Sequence, residues 1–122
     1  MKVLVVDDSK TMRLIVSRIM KELGYEVGEA GNGKEAIEAL KTDSSYSLVM
    51  ADWNMPEMNG YEMVVNIKSD DNLKKIPIIM VTTETETGNV SKAIEAGASD
   101  FITKPFKKET VQEKINKIFQ GV

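Results

Sequence analysis

Cysteine and histidine are both absent from the 122 residues. Without cysteine there is no disulfide, no thiol nucleophile and no thiolate-bound zinc. Without histidine there is no Ser-His-Asp triad, no imidazole base and no imidazole-bound metal. A basic surplus is missing too: 16 Lys and Arg stand against 19 Asp and Glu, for a net charge of -3. Nucleic-acid binders carry a basic stripe, so no nucleic-acid partner is expected. No apolar run approaches the ~20 residues that cross a bilayer. The few apolar residues after Lys2 fall short of the ~7–15 of a signal peptide. A cytoplasmic protein with no membrane partner is expected. What remains for chemistry is carboxylates, hydroxyls, lysine and backbone, a set suited to hard cations such as Mg2+ and to phosphoryl transfer.

What the chain does have is a repeating order. At 42% hydrophobic and 29% charged residues it suits one globular domain over residues 1–122. Lys2 to Val6 is a β-branched run of strand length that ends at Asp7-Asp8-Ser9, and Ser9 or Asp8 can cap the helix that follows. Met12, Ile15, Val16, Ile19, Met20 and Leu23 fall on one helical stripe with Ser17 off it, and Gly24 is placed to end the helix. Tyr25 to Ala30 reads as a short strand. Asn32 and Glu35 have capping-box spacing before a helix carrying Ala36, Ile37 and Leu40. Leu48 to Ala51 is a second buried run, which stops at Asp52 and gives way to a turn-rich stretch closed by Asn59-Gly60. Met63, Val64 and Ile67 mark the next helix. Pro77 to Val81 is a strand ending in Thr82 and Thr83. Val90, Ala93 and Ile94 pattern a helix closed by Gly97. Phe101 to Thr103 is a fifth strand ending at Lys104-Pro105. The last helix carries Val111, Ile115, Ile118 and Phe119, with Lys107, Lys108, Lys114 and Lys117 expected mostly toward water. Strand and helix alternate five times with short connections, which predicts an α/β fold of (βα)5 type with helices on both faces of a parallel sheet.

In such a sheet the carboxyl ends of all strands share one edge, where sites form. This chain puts Asp7 and Asp8, Asp52, Thr82 and Lys104 there, after four different strands. Three carboxylates a few ångströms apart repel one another unless cations intervene. Lys104 supplies one positive charge and a divalent Mg2+ could supply two more. Asp52 would then stay ionised as a nucleophile, Mg2+ and Lys104 would neutralise an incoming phosphoryl group, and Thr82 would donate a hydrogen bond to it. The alternative is a salt-bridged rim without chemistry. Trp53, beside Asp52, is expected to pack in the loop with its ring partly exposed, and Met55 and Met58 to be exposed.

The segments VLVVDDS, ADWNMPEMNG, IIMVTTE, AGASDFITKPF and EKINKIF resemble, in order and spacing and over the whole chain, those of response-regulator receiver domains. The stand-alone chemotaxis regulators are the most similar among them. The resemblance implies a doubly wound, flavodoxin-like sheet of strand order 2-1-3-4-5 and a single receiver domain with no output domain. It implies that Asp52 accepts a phosphoryl group from a partner histidine kinase of the chemotaxis type. Mg2+ would be bound by Asp8, Asp52 and the backbone carbonyl of Asn54, with Asp7 acting through metal-bound water. Lys104 would contact the phosphoryl group and precede a cis peptide to Pro105. Thr82 and Phe101 would be the switch residues, altering the surface formed by the fourth helix, fifth strand and fifth helix. Asn54 and Glu84 would tune dephosphorylation. The implied partners are that kinase, a downstream protein such as a flagellar motor switch component, and a phosphatase, with the regulator itself a monomer that controls flagellar rotation. One departure stands out: the best-studied chemotaxis regulators have tyrosine where this chain has Phe101, so an aromatic rotor is kept and its hydroxyl is lost.

Other readings remain on the same residues. The chain could be a phosphorelay intermediate or the receiver of a larger transcriptional regulator. A phosphohydrolase with an Asp nucleophile would need a second Asp where this chain has Asn54, so no turnover of an external substrate is expected. A flavin-binding electron carrier would want a phosphate-cradling loop after the first strand, where this chain has two negative charges.

Overall fold

The structure, a computed structural model, describes residues 1–53, 58–83, 90–104 and 106–120. In chain order its elements are β1 (Lys2–Val6), α1 (Lys10–Glu22), β2 (Glu26–Ala30), α2 (Gly33–Thr42), β3 (Tyr46–Asp52), α3 (Gly60–Lys68), β4 (Ile78–Thr83), α4 (Val90–Ala96), β5 (Asp100–Lys104) and α5 (Lys108–Gln120). Among the described residues the strands form one parallel sheet in the order β2-β1-β3-β4-β5. This is the doubly wound, flavodoxin-like α/β fold that the βα alternation and the motifs predict.

The sheet has two cores because side chains alternate along each strand. Val3, Val5, Leu48, Met50, Ile79, Val81 and Ile102 pack against Val16 and Met20 of α1 and Val111 and Ile115 of α5. Leu4, Val6, Val49, Ala51, Ile78 and Met80 pack on the other face, against Ala36 and Leu40 of α2, Met63, Val64 and Ile67 of α3, and Ala93 of α4. The near-continuous apolar runs of β1, β3 and β4 reflect burial on both faces.

Local chemistry fixes where the helices begin and end. Ser9 caps α1, its Oγ accepting the Met12 N–H at 3.3 Å. Gly24, at φ 94°, ends it in a Schellman motif: Tyr25 N–H donates to Met20 O and Gly24 N–H to Lys21 O. Gly97, at φ 124°, ends α4 the same way, with Ala98 N–H on Ala93 O and Gly97 N–H on Ile94 O. The capping box predicted at Asn32 and Glu35 is only half present. Asn32 Oδ1 accepts the Glu35 N–H at 2.8 Å, but the Glu35 carboxylate turns to the Gly31 N–H instead. The full box belongs to Asn59 and Glu62, at the start of α3.

The α1 stripe is rotated from its expected position. Ile15 and Leu14 are exposed, whereas Ser17 is buried. The sheet takes the arc through Val16, Ser17 and Met20, narrower than the six-residue apolar stripe. Ser17 Oγ has no hydrogen-bond partner among the described residues, so the position uses the small size of serine, which lets the helix approach closely.

Candidate functional site

β1 delivers Asp7 and Asp8 to the carboxyl edge of the sheet, and the neighbouring β3 delivers Asp52. Asp7 is 4% exposed and Asp52 9%, while Asp8 is open to solvent. One carboxylate oxygen from each of the three lies within 4.8 Å of the others. Asp7, Asp8 and Asp52 gather at this edge together with Lys104. Lys104, at the end of β5, places its Nζ 3.1 Å from Asp52 Oδ1 and 3.5 Å from Asp7 Oδ2. Burial works against the Lys104 ammonium, but the Asp52 hydrogen bond and the negative charges of Asp52 and Asp7 outweigh it, so its pKa is raised.

Strand alternation divides the rim residues between the two faces. Asp7, Asp52 and Lys104 continue the sets Val3-Val5, Leu48-Met50 and Ile102, which face α1 and α5. Thr82 continues the set Ile78-Met80, which faces α2, α3 and α4. It is 1% exposed and sits one residue beyond Val81, the position in register with Asp52. Phe101 packs half-buried against that same face and pairs in register with Met80. Thr82 and Phe101 therefore share one face, and Asp7, Asp52 and Lys104 end the other.

The β1–α1 turn is held from several directions. Asp7 Oδ1 accepts the Ser9 N–H at 2.9 Å, an Asx turn. The Asp7 N–H donates to Ala30 O at 3.1 Å. Arg13 Nη1 donates to Asp7 O at 2.6 Å, while its Nε reaches Glu29 of β2 at 3.3 Å. No local spacing signals this role of Arg13, because Glu29 lies on another element. On the other side, α3 begins hard against Asp52. The Gly60 N–H donates to Trp53 O at 2.8 Å. A Cβ on Gly60 would stand 2.5 Å from Met80 Cε, 2.9 Å from Asp52 O and 3.0 Å from Trp53 Cα. Glycine is required there for close backbone approach.

Several expectations are corrected. Trp53 is buried, at 9% exposure, and belongs to the core beneath α2 and α3, with its ring 6.4 Å from that of Tyr61. Met58 is half-buried and packs on that core, close over Gly33. The start of α3 is tied to the end of β3 by the Gly60 N–H bond to Trp53 O, which keeps both residues against this core. Lys114 is not a solvated lysine of α5. Its Nζ lies 3.2 Å from Asp100 Oδ1 and 5.2 Å from the centroid of the Phe101 ring. Asn54, Met55, Glu84 and Pro105 lie outside the described residues. No described helix is long and apolar enough to cross a membrane.

Comparison with known proteins agrees with this arrangement. The response regulator receiver domain family matches residues 3–116. A chemotaxis protein, CheY1 of Helicobacter pylori, is 47% identical over 116 residues, which cover 94% of each chain. Among solved structures, the chemotaxis protein CheY4 of Vibrio cholerae superimposes with a TM-score of 0.87 at 35% identity, covering 96% of this chain and 97% of that one. The receiver domain of a Pseudomonas aeruginosa sensor histidine kinase, solved with a magnesium ion coordinated in its active-site cleft, has a TM-score of 0.86 at 25% identity, covering 95% and 94%. The alternating architecture, the acidic rim and these matches have one meaning in common: the chain belongs to the response regulator receiver domain family of two-component signalling.

Proposed function

We propose that the chain is a phosphorylation-controlled binding module, with Asp52 as the residue that accepts the phosphoryl group. The supporting observation is the single rim on which Lys104 meets two buried carboxylates beside a third. An Asp52 carboxylate oxygen attacks the phosphorus of a kinase phosphohistidine, the P–N bond breaks, and the imidazole leaves with the electron pair. Hydrolysis reverses the modification: water attacks phosphorus and Asp52 returns as a carboxylate with release of inorganic phosphate. Lys104, on the α5 side of Asp52, offers its ammonium to the phosphoryl oxygens. Thr82 offers its hydroxyl from the opposite face.

The residues fit Mg2+. Asp7, Asp8 and Asp52 are hard oxygen donors, and three negative charges against one Lys104 leave a local surplus of two, the charge of a divalent cation. Asp8 and Asp52, with the Asn54 carbonyl, would hold it directly, and Asp7 through water. Mg2+ held there would supply positive charge to the carboxylates and to the phosphoryl oxygens. Asp7, fixed by Ser9 and Arg13, and Asp52, fixed by Lys104, need little reorganisation to accept it.

Phosphorylation biases Thr82 and Phe101, and with them the surface of α4, β5 and α5 that a partner reads. The reading extends to a cytoplasmic chemotaxis regulator whose donor is a histidine kinase and whose target is a motor-switch protein, with the relatives' chemotaxis role as its support. The test is intact mass after incubation with Mg2+ and acetyl phosphate. One phosphoryl adduct, dependent on Mg2+ and absent in Asp52→Asn, is expected. An adduct that persists in Asp52→Asn would overturn the assignment of Asp52.

A further inference from the structure

We propose that Lys114 is a latch on Phe101, a positioning residue that holds the aromatic ring in its resting place through a cation–π contact anchored by Asp100. The inference rests on the reading of Phe101 as the moving residue. Three contacts carry it. The Lys114 Nζ lies 5.2 Å from the Phe101 centroid, within the reach of a cation–π attraction. The same Nζ is 3.2 Å from Asp100 Oδ1. That oxygen also accepts the Phe101 N–H at 2.8 Å. One carboxylate oxygen thus fixes both the backbone of Phe101 and the ammonium on its ring.

The fold makes this contact bridge two faces. Val111 and Ile115 keep α5 on one face of the sheet, whereas Phe101 packs on the other. β5 is the edge strand, so the Lys114 stem passes around the sheet's open edge to reach the ring. Any rotation of Phe101 away from its present place breaks the ring contact but leaves the Asp100 ion pair intact. The latch therefore opposes ring movement without tying down the helix. The chemistry of phenylalanine suits it. With no hydroxyl to anchor, the ring offers a polar neighbour only its π-system. An ammonium over the face is then a polar contact by which the resting position can be favoured.

The test is NMR of the full chain carrying ring-13C phenylalanine, a label that leaves the ring quadrupole unchanged, with the Phe101 signal assigned by Phe101→Leu. Mg2+ with beryllium fluoride mimics the phosphoryl group, and Trp53 fluorescence reports its binding. In wild type the Phe101 signal is expected to move on activation. In Lys114→Met, which keeps the stem and loses the charge, the inactive protein should already shift toward the activated position, by roughly two- to fivefold in the switch equilibrium. Lys114→Arg, which keeps a cation, should restore the wild-type position. A Lys114→Met signal unchanged from wild type, with normal movement on activation, overturns the latch and leaves Phe101 as the switch. A wild-type Phe101 signal that stays still while Trp53 reports binding overturns both. Silence of ring and Trp53 together overturns the Asp52 site and the latch with it.

Discussion

The Lys104 ammonium lies 3.1 Å from Asp52 Oδ1 although their strands are not neighbours: β5 and β3 are separated by β4. The lysine side chain crosses the end of β4 to reach the carboxylate and meets Asp7 of β1 as well. The acidic rim is thus partly neutralised from across β4, by a residue distant in sequence.

Lys104→Met is expected to destabilise the metal-free protein by about 1–3 kcal/mol, the cost of removing the cation paired with two buried carboxylates, and to abolish most phosphoryl uptake. The pH dependence follows from the raised pKa of Lys104. A raised folded-state pKa contributes stability that is fully present below the unfolded value, about 10.4, and is lost as pH rises through the folded value. The stability advantage of wild type over Lys104→Met should therefore be level near neutral pH and shrink above about pH 10. Urea midpoints across that range measure it, and an advantage that widens above pH 10 would contradict the assigned pairing.

Mg2+ should raise the melting temperature, because it binds the assembled rim and not the unfolded chain. At 100 times its dissociation constant the gain is roughly 2.7 kcal/mol. Asp8→Ala removes a solvent-facing proposed ligand that, among the described residues, makes none of the ion pairs of the rim. It should leave metal-free stability within about 0.5 kcal/mol while removing most of the Mg2+ response. Calorimetry with and without the ion separates the two effects.

Asp7 makes two kinds of contact, and two variants separate them. Asp7→Asn can keep the acceptor that holds the Ser9 N–H while removing one of three clustered charges. It should stabilise the metal-free protein by roughly 2–4 °C in melting temperature and impair phosphorylation. Asp7→Ala loses the turn contact too and should show no such gain. A melting temperature lowered by Asp7→Asn would mean that the Lys104 ion pair outweighs carboxylate repulsion.

Gly60→Ala should destabilise by about 1–3 kcal/mol, the scale of overpacking. Two of the atoms it would strike are backbone atoms of Asp52 and Trp53, which cannot yield as a side-chain tip can. Gly31→Ala is the control, since its Cβ would meet only side-chain ends at 3.5 Å or more. Denaturant midpoints of the pair measure the difference.

The fold was legible wherever one local rule decided the outcome. The apolar runs of β1, β3 and β4 and the glycines at 24 and 97 announce buried strands and helix ends, and the residues that follow the strands must share an edge once the sheet is parallel. Reading failed where geometry across elements decided. The apolar stripe of α1 offers more hydrophobic positions than the sheet covers, so Ile15 was expected inside and Ser17 outside. The Asn59 and Glu62 capping box has the right spacing in the sequence, but Asn59-Gly60 reads equally well as the close of a turn. Lys114 could not be singled out from the other lysines of α5, because its partners Asp100 and Phe101 lie on a strand. Trp53 looked like a loop residue because sequence does not say in which direction the chain leaves β3.

The alternation of β3, β4 and β5 has a bearing on how such a protein can diversify. Asp7, Asp52 and Lys104 end one face of the sheet, whereas Thr82 and Phe101, which would report the chemistry, lie on the other. Under the proposed function, substitutions on the Phe101 side would re-specify the recipient of a signal without disturbing Asp7, Asp52 or Lys104. A lineage so built could change its audience while keeping its receiver.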